Sequence, residues 1–313
     1  MPARKTRRTP SVKKKRLTPV VKYLILIAFL AIFGFVLWKM GEAWTKRLWK
    51  DGSRITIVVA NPSPEVFSYN PENASITQFT VPSDAQLDAS GGYGSWSAAS
   101  LWDLGIQERA GGQILARSIQ RSFGIPVNGW TGRGGNVLFA EGELGWFSLV
   151  NIQSNLTFFD KVNLLLASGR VGRLSRANID LEQRGVIKPK SLADGTKGFV
   201  INPDKSLSEL DTLRDDKVFL DQKTLKITNA ASVSGLAAQV SRVASVLGLR
   251  VISTDSTKGK VLGVCTVRGK DSELKSFAAR RLVATYGCES EVGDPSGPTN
   301  LEIILGAKFA KEY

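Results

Sequence analysis

Residues 23–38 read YLILIAFLAIFGFVLW, sixteen in a row without a charge. A helix that crosses a bilayer needs about 20 apolar residues, within a range of roughly 17 to 25. The run reaches that length with Val20 and Val21 ahead of it and Met40, Ala43 and Trp44 behind it. Lys22 and Lys39 fall inside the extended span, and each has a stem long enough to carry its charge out to the headgroups. Tyr23, Trp38, Trp44 and Trp49 lie near its ends, where interfacial aromatics collect. A buried core helix is the competing reading. It is opposed by the preceding tail, where Arg4, Lys5, Arg7, Arg8, Lys13, Lys14, Lys15 and Arg16 occur without one acid.

Lys and Arg beside a spanning helix stay on the cytoplasmic side, so the tail is expected inside and the rest of the chain outside. A cleaved signal peptide shares the basic start, but it would end in small residues before a cleavage site. Here the run ends FVLWKMGEAWTKRLWK, bulky and basic, which fits an uncleaved anchor. Residues 1–50 hold thirteen Lys or Arg and one acid, against a whole-chain net charge of +14, so the remaining residues carry only about +2. The basic excess is therefore a topology signal, and no nucleic-acid partner is expected. The chain has no histidine, which removes the commonest metal ligand and general base. Its two cysteines, Cys265 and Cys288, are too few for a zinc or iron–sulfur site.

Beyond a basic, aromatic stalk at 45–53, residues 54–60 (RITIVVA), 66–69 and 75–81 (SITQFTV) read as strands, with a hairpin turn at Asn70–Asn73. The segment 88–96 is polar and glycine-rich without a phosphate-loop pattern, and reads as a surface loop. A helix is expected over 107–123, with Ile114, Leu115, Ile119 and Phe123 on one face and Arg117 and Arg121 on another. NVLFA (136–140) looks strand-like, 158–169 helical, 186–205 turn and extended chain, and 207–213 a short helix. The last hundred residues alternate more regularly. Strands are expected at 225–229, 250–254, 261–267, 288–292 and 300–305, the second and third joined by the turn DSTKG. Helices are expected at 233–247 and 271–286, closed by Gly248 and Gly287. Such alternation indicates a compact α/β domain. Cys265 and Cys288 fall on strands flanking the second helix. In an oxidising compartment a disulfide between them and two separate buried thiols are both open.

Two resemblances follow. LKITNA (225–230) leading into VSGLAA (233–238), with LEIILG (301–306) as last strand, resembles the LytR C-terminal domain over about residues 220–310. FSYNPEN (67–73), ITQFTVPSD (76–84), YGSWSAA (93–99) and the 111–127 stretch ending FGIPV resemble, in order, a diverged LytR-CpsA-Psr (LCP) domain over about 54–165. The implied fold class is α/β: an N-terminal transmembrane helix, a diverged LCP-like sheet domain, then a small α/β LytR C-terminal domain. The implied boundaries are a tail at 1–18, an anchor at 19–44, a stalk at 45–53, and domains at 54–218 and 219–313.

Members of that family are membrane-anchored. They transfer glycopolymers from polyprenyl-pyrophosphate carriers to peptidoglycan, using arginines, aspartates and a divalent metal, because a pyrophosphate needs fixed guanidinium groups and a cation. This sequence departs from that pattern. The arginine of the SIPRD-type motif is replaced by Ser83, leaving Asp84, and the arginine before the Ala-Ala step by Trp96. The first strand ends Ala60-Asn-Pro where the family places an aspartate, and Arg170, Arg173 and Arg176 are poorly spaced for its later arginine motif. Neither serine nor tryptophan can hold a phosphate oxygen as arginine does.

The resemblance therefore implies an extracytoplasmic envelope protein of the cytoplasmic membrane. It would be non-catalytic and would bind or scaffold cell-wall glycopolymer, a polyprenyl-linked carrier or envelope proteins, with no catalytic residue and no cofactor. An active phosphotransferase is the alternative, and would need Mg²⁺ or Mn²⁺. Candidate ligand-binding residues are Asp84, Arg109, Arg117 and Arg121, with a wet helix face as the ordinary fate of the arginines. Asp88 would be a residual metal ligand beside Asp84, or half of a solvated loop pair. Trp96, Trp102, Trp130 and Trp146 could stack on sugar rings or simply fill a core.

Overall fold

The computed structural model describes residues 19–50, 52–140, 146–191, 195, 197–257 and 263–313. The basic tail and the side chains of Lys22 and Trp146 lie outside the described residues. Residues up to Lys46 and residues 47–313 form separate compact units.

In the first unit, helix α1 covers Pro19–Thr45, 27 residues. At 1.5 Å per residue it is about 40 Å long, more than the ~30 Å of a hydrocarbon core. Its stretch Leu26–Thr45 is long and apolar enough to cross a membrane, and none of it is buried. The acid near its end, Glu42, pairs with Lys39 at 2.8 Å and Lys46 at 2.7 Å.

The second unit begins with strands β1 (Ile55–Val59), β2 (Glu65–Asn70) and β3 (Ser75–Thr80). They form an antiparallel meander with Ile57 opposite Phe67 and Val66 opposite Phe79. The glycine-rich segment is a second hairpin, β4 (Gln86–Ala89) and β5 (Gly94–Ser97), and not a plain loop. Gly91, Gly92 and Gly94 take positive φ at its turn, which glycine adopts without strain. The helix expected over 107–123 is two helices, α2 (Leu101–Gln107) and α3 (Gln113–Phe123). They are broken where Gly105 and Gly111 meet: a Cβ on Gly105 would lie 1.9 Å from the Gly111 carbonyl oxygen. Gly124 caps α3 in the left-handed region.

Strand β6 (Gly129–Thr131) returns parallel to β1, and β7 (Arg176–Asn178) adds parallel to β3, giving the order β6-β1-β2-β3-β7. Between them lie α4 (Trp146–Asn151) and α5 (Phe158–Ser168), while NVLFA falls in a 3₁₀ helix and not a strand. Both faces of this sheet are covered, which explains why every residue of β1 is buried without alternation. Val58, Val66 and Phe79 pack with Leu115, Ile119 and Phe123 of α3 on one face. Ile55, Ile57, Val59 and Phe67 pack with Leu138, Phe139 and Leu164 of α5 on the other.

Residues 186–205 contain a hairpin, β8 (Ile187–Ser191) with β9 (Lys197–Ile201), followed by α6 (Pro203–Glu209) and α7 (Asp216–Leu220). The second sheet takes β10 (Thr224–Asn229), β11 (Arg250–Ser256), β12 (Cys265–Gly269), β13 (Glu289–Val292) and β14 (Leu301–Leu305) in the order β11-β10-β14-β12-β13. Strands β11 and β12 are therefore not hairpin partners, and part of the segment joining them lies outside the described residues. Helix α8 (Leu236–Leu247) starts three residues later than expected. The helix expected over 271–286 is α9 (Asp271–Leu274) and α10 (Phe277–Tyr286), the latter capped by the Ser276 hydroxyl accepting from the Ala279 N–H. A last helix, α11 (Ala307–Glu312), was not foreseen.

Helices α8 and α10 cover one face of this sheet. The other face is polar, with Glu302 buried and accepting from the hydroxyls of Thr228 and Ser296, both at 2.6 Å. Burial pushes its pKa up, but these donors and Lys226 outweigh that and lower it. Cys265 and Cys288 are joined in a disulfide beside the β12–β13 pair, with Cα atoms 4.7 Å apart.

The stalk segment is itself folded against the second unit from Leu48 onward. Asp160, fully buried at the start of α5, accepts the backbone N–H groups of Leu48 (3.1 Å) and Trp49 (3.0 Å). It also closes a capping box with Thr157. The Trp49 ring meets Tyr69 edge-on at 5.5 Å.

Candidate functional site

Helix α3 carries the arginines that the sequence singles out. Its apolar positions face the sheet, which turns Arg117 and Arg121, one helical turn apart, toward the last residues of the chain. Arg117 donates from Nη1 to the Glu312 backbone oxygen at 2.8 Å. Arg121 donates from Nη1 to the Tyr313 backbone oxygen at 2.8 Å and from Nη2 to Asp88 at 3.1 Å, and its guanidinium lies 5.7 Å from the Tyr313 ring. Burial lowers the pKa of Arg117, opposed by Glu312 and Tyr313. Below the arginines, Tyr286, Phe309 and Tyr313 form an aromatic trio with centroids 4.9 to 5.9 Å apart.

Beside this contact runs a cleft of about 350 Å³, between α3, β6, the end of α10 and α11. Its wall holds Arg117, Trp130 and the amides of Gln113, Gln120, Asn128 and Asn155. Three of the amides are fixed by the backbone. Asn128 Oδ1 accepts the Thr56 N–H at 2.8 Å, Asn155 Oδ1 the Trp130 N–H at 2.8 Å, and Gln120 Oε1 the Val127 N–H at 3.2 Å. With their oxygens taken, Asn128 and Asn155 can meet a ligand only as donors, while Gln120 also bears on the Tyr313 hydroxyl. Trp130 is held edge-on to Trp102 at 5.6 Å, and Gly112 leaves room for both rings, since a Cβ there would come within 2.5 Å of Trp130. No Asp or Glu side chain lines the cleft among the described residues. Chemically it offers an aromatic face, amide donors and one cation, a set suited to holding a hydroxylated ligand.

The structure brings Arg117 and Arg121 together but not Asp84 or Arg109. Asp84 is half-buried between β3 and β4, and Arg109 is exposed just beyond α2 at φ 56°. No ion pair or hydrogen bond joins either to α3 among the described residues. Asp88 is taken up by Arg121 and not by Asp84. Among the described residues no group of three His, Cys, Asp or Glu is placed to hold a metal. The tryptophans divide: Trp96 donates to the Tyr93 carbonyl at 2.8 Å and packs on the core, while Trp130 reaches the cleft. Sequence reasoning missed the cleft amides and the residues of α11, which come from segments far apart in the chain.

Fold and site define an α/β protein of two five-stranded sheets, with one N-terminal helix of membrane-crossing length and a cleft lined by amide and aromatic side chains. Over about half its length the chain is similar to solved structures of LytR-CPS2A-psr proteins. B. subtilis TagT is 11% identical, with 54% of this chain and 94% of that one covered and a TM-score of 0.40. For B. subtilis TagV the figures are 8%, 52%, 97% and 0.40. For the LytR-CPS2A-psr family protein YwtF (TagT) with bound octaprenyl pyrophosphate lipid they are 12%, 54%, 93% and 0.39. No protein-family model matches the chain. No curated protein matches it either.

Proposed function

We propose that this is a membrane-anchored, extracytoplasmic protein of the cell envelope, of LytR-CpsA-Psr type, that binds the saccharide part of a wall glycopolymer without transferring it. The observation that carries the reading is the lining of the α3–α11 cleft: Trp130, four amides and Arg117, with no Asp or Glu side chain among the described residues. A sugar ring stacks on an indole face, and fixed amides pair with its hydroxyls. The pyrophosphate chemistry of the family is not supported by the residues at its motif positions. Ser83 and Trp96 stand in for arginines, and Arg117 and Arg121 are engaged by Glu312, Tyr313 and Asp88. The core beneath them is filled by Phe79, Leu87, Leu101, Leu115, Ile119 and Phe123, each less than 2% exposed.

The test uses the full chain in nanodiscs. Binding of wall glycopolymer fragments is measured by calorimetry, alongside hydrolysis of a polyprenyl pyrophosphate with Mg²⁺ or Mn²⁺. The expected result is polymer binding that weakens at least about tenfold in Trp130→Ala, the loss of one stacked ring, with no hydrolysis. Metal-dependent hydrolysis that disappears in Arg117→Ala/Arg121→Ala would establish the transferase instead.

A further inference from the structure

A second cavity, of about 490 Å³, adjoins the α3–α11 cleft, and Ala110, Gln113 and Arg117 line both. It adds Gly91 and Tyr93 from the β4–β5 turn, Glu108 just beyond α2, and Lys311 and Glu312 of α11. Each cavity falls within the roughly 300 to 1,000 Å³ of a small-ligand site, so a molecule that fills both has more than one ring.

Tyr93 is 41% exposed and yet held in place. Its hydroxyl donates to Glu108 Oε2 at 2.8 Å, and its ring lies against Gly91, where a Cβ would come within 2.7 Å of it. Gly112 seats Trp130 in the same manner. Each cavity therefore has one aromatic side chain that is already fixed, and a fixed ring loses little freedom when a ligand stacks on it.

The two cavities differ in hydrogen-bonding sense. In the first, Asn128 and Asn155 have their oxygens taken and act only as donors, which call for carbonyl oxygens. In the second, the Glu108 carboxylate has acceptor capacity beyond its bond to Tyr93, which calls for hydroxyls. An acetamido sugar carries both groups. Charge in the second cavity is balanced among the described residues, Glu108 and Glu312 against Arg117 and Lys311, so it offers no net attraction to a phosphate.

We infer that the two cavities form one groove for a linear, uncharged oligosaccharide bearing acetamido groups, with one sugar on Trp130 and a later one on Tyr93. The inference rests on the saccharide reading proposed above and deepens it. Tyr93 and Glu108 become a second subsite, and Gln113 and Arg117, one helical turn apart on α3, flank the sugar between the two platforms.

The test titrates the full chain in nanodiscs with the dimer and the tetramer of β-linked N-acetylglucosamine, read by calorimetry. A stacked ring contributes about threefold to tenfold beyond the area it buries. The expected result is a tetramer that binds at least about fivefold more tightly than the dimer. Tyr93→Ala should remove that gain and leave the dimer unchanged, while Tyr93→Phe, which keeps the ring, should retain most of it. Trp130→Ala should weaken both oligomers. High salt should leave tetramer binding unchanged, as an uncharged ligand requires. Equal affinities for the two oligomers overturn the inference, and so does a length gain that survives Tyr93→Ala or disappears in high salt. If neither oligomer binds while wall glycopolymer fragments do, the extended groove alone is refuted. If the fragments fail as well, or if Trp130→Ala changes nothing, the saccharide reading beneath it falls too.

Discussion

Asp160 is the residue whose replacement should be felt furthest from its own position. Its carboxylate is fully buried and accepts four hydrogen bonds: Leu48 N, Trp49 N, Thr157 N and Thr157 Oγ1, at 2.8 to 3.1 Å. Asp160→Asn keeps the size and one acceptor. The oxygen worth keeping is Oδ2, which serves three donors, so the new amide nitrogen would replace Oδ1 and face the Trp49 N–H, donor against donor. One charge-assisted bond is lost, worth about 1.5–3 kcal/mol, and one buried N–H is left unpaired at about 1–3 kcal/mol. The sum is about 2.5–6 kcal/mol; a loss near its lower end, about 3 kcal/mol, lowers the Tm by roughly 6–12 °C for a unit of this size. The effect should also be local. Hydrogen exchange at Leu48 and Trp49 should accelerate by about a hundredfold, as an opening costing about 3 kcal/mol less requires. Asp160→Ala, which loses all four bonds, should cost more. Unchanged exchange at residues 48–49, with a Tm shift under 2 °C, would refute the view that Asp160 fastens the stalk.

Two further outcomes are expected. Reducing Cys265–Cys288, which closes a loop of 23 residues, should lower the stability of the full chain by about 3 kcal/mol, read as a shift in denaturant midpoint with and without reductant. Tyr313 should set an alkaline limit. Burial pushes its pKa up to about 12, against the pull of Gln120 first and then of Arg121, Arg242 and Arg117. A phenol whose charged form the fold disfavours contributes stability that is whole below about pH 10 and is lost as pH rises through the folded value. About 2–3 kcal/mol should therefore fall away between pH 10 and 12. Tyr313→Phe should flatten that limb in denaturation measured at pH 8, 10 and 11.5, and an unchanged slope would show that Tyr313 is not its source.

Much of the fold was legible because its signals are local. The apolar run of α1, the β-branched strands ended by Asn61-Pro62, and the left-handed caps Gly124, Gly248 and Gly287 each declare themselves within a few residues. Misread elements hid behind composition. Leu87 and Ala89 point inward along a true alternating strand, but three glycines nearby make the hairpin look like loop. Ser276 reads as one more polar helix residue, yet its hydroxyl starts a new helix. Of the site, Arg117 and Arg121 could be found from their spacing on α3. Their partners, 195 and 192 residues further on, leave no local trace. Asp160 shows the same division: its capping box with Thr157 is readable in sequence, and its hold on Leu48 and Trp49, more than a hundred residues away, is not.

Those two long-range holds sit on opposite faces of the first sheet, Asp160 on the α5 side and Arg117 and Arg121 on the α3 side. The stalk is thereby bound to one face and the α11 end of the chain to the other, so neither is a free linker. The consequence differs at the two ends. On the α5 side no ligand is needed to complete the hold, because a buried carboxylate already has four donors. On the α3 side Arg117 both lines the cleft and binds the Glu312 oxygen, so an anionic group that takes its guanidinium competes with α11 directly. A neutral saccharide stacked on Trp130 has no such competitor. On the reading proposed above, that difference is the physical reason for the cleft to take the sugar part of a glycopolymer and leave its phosphate.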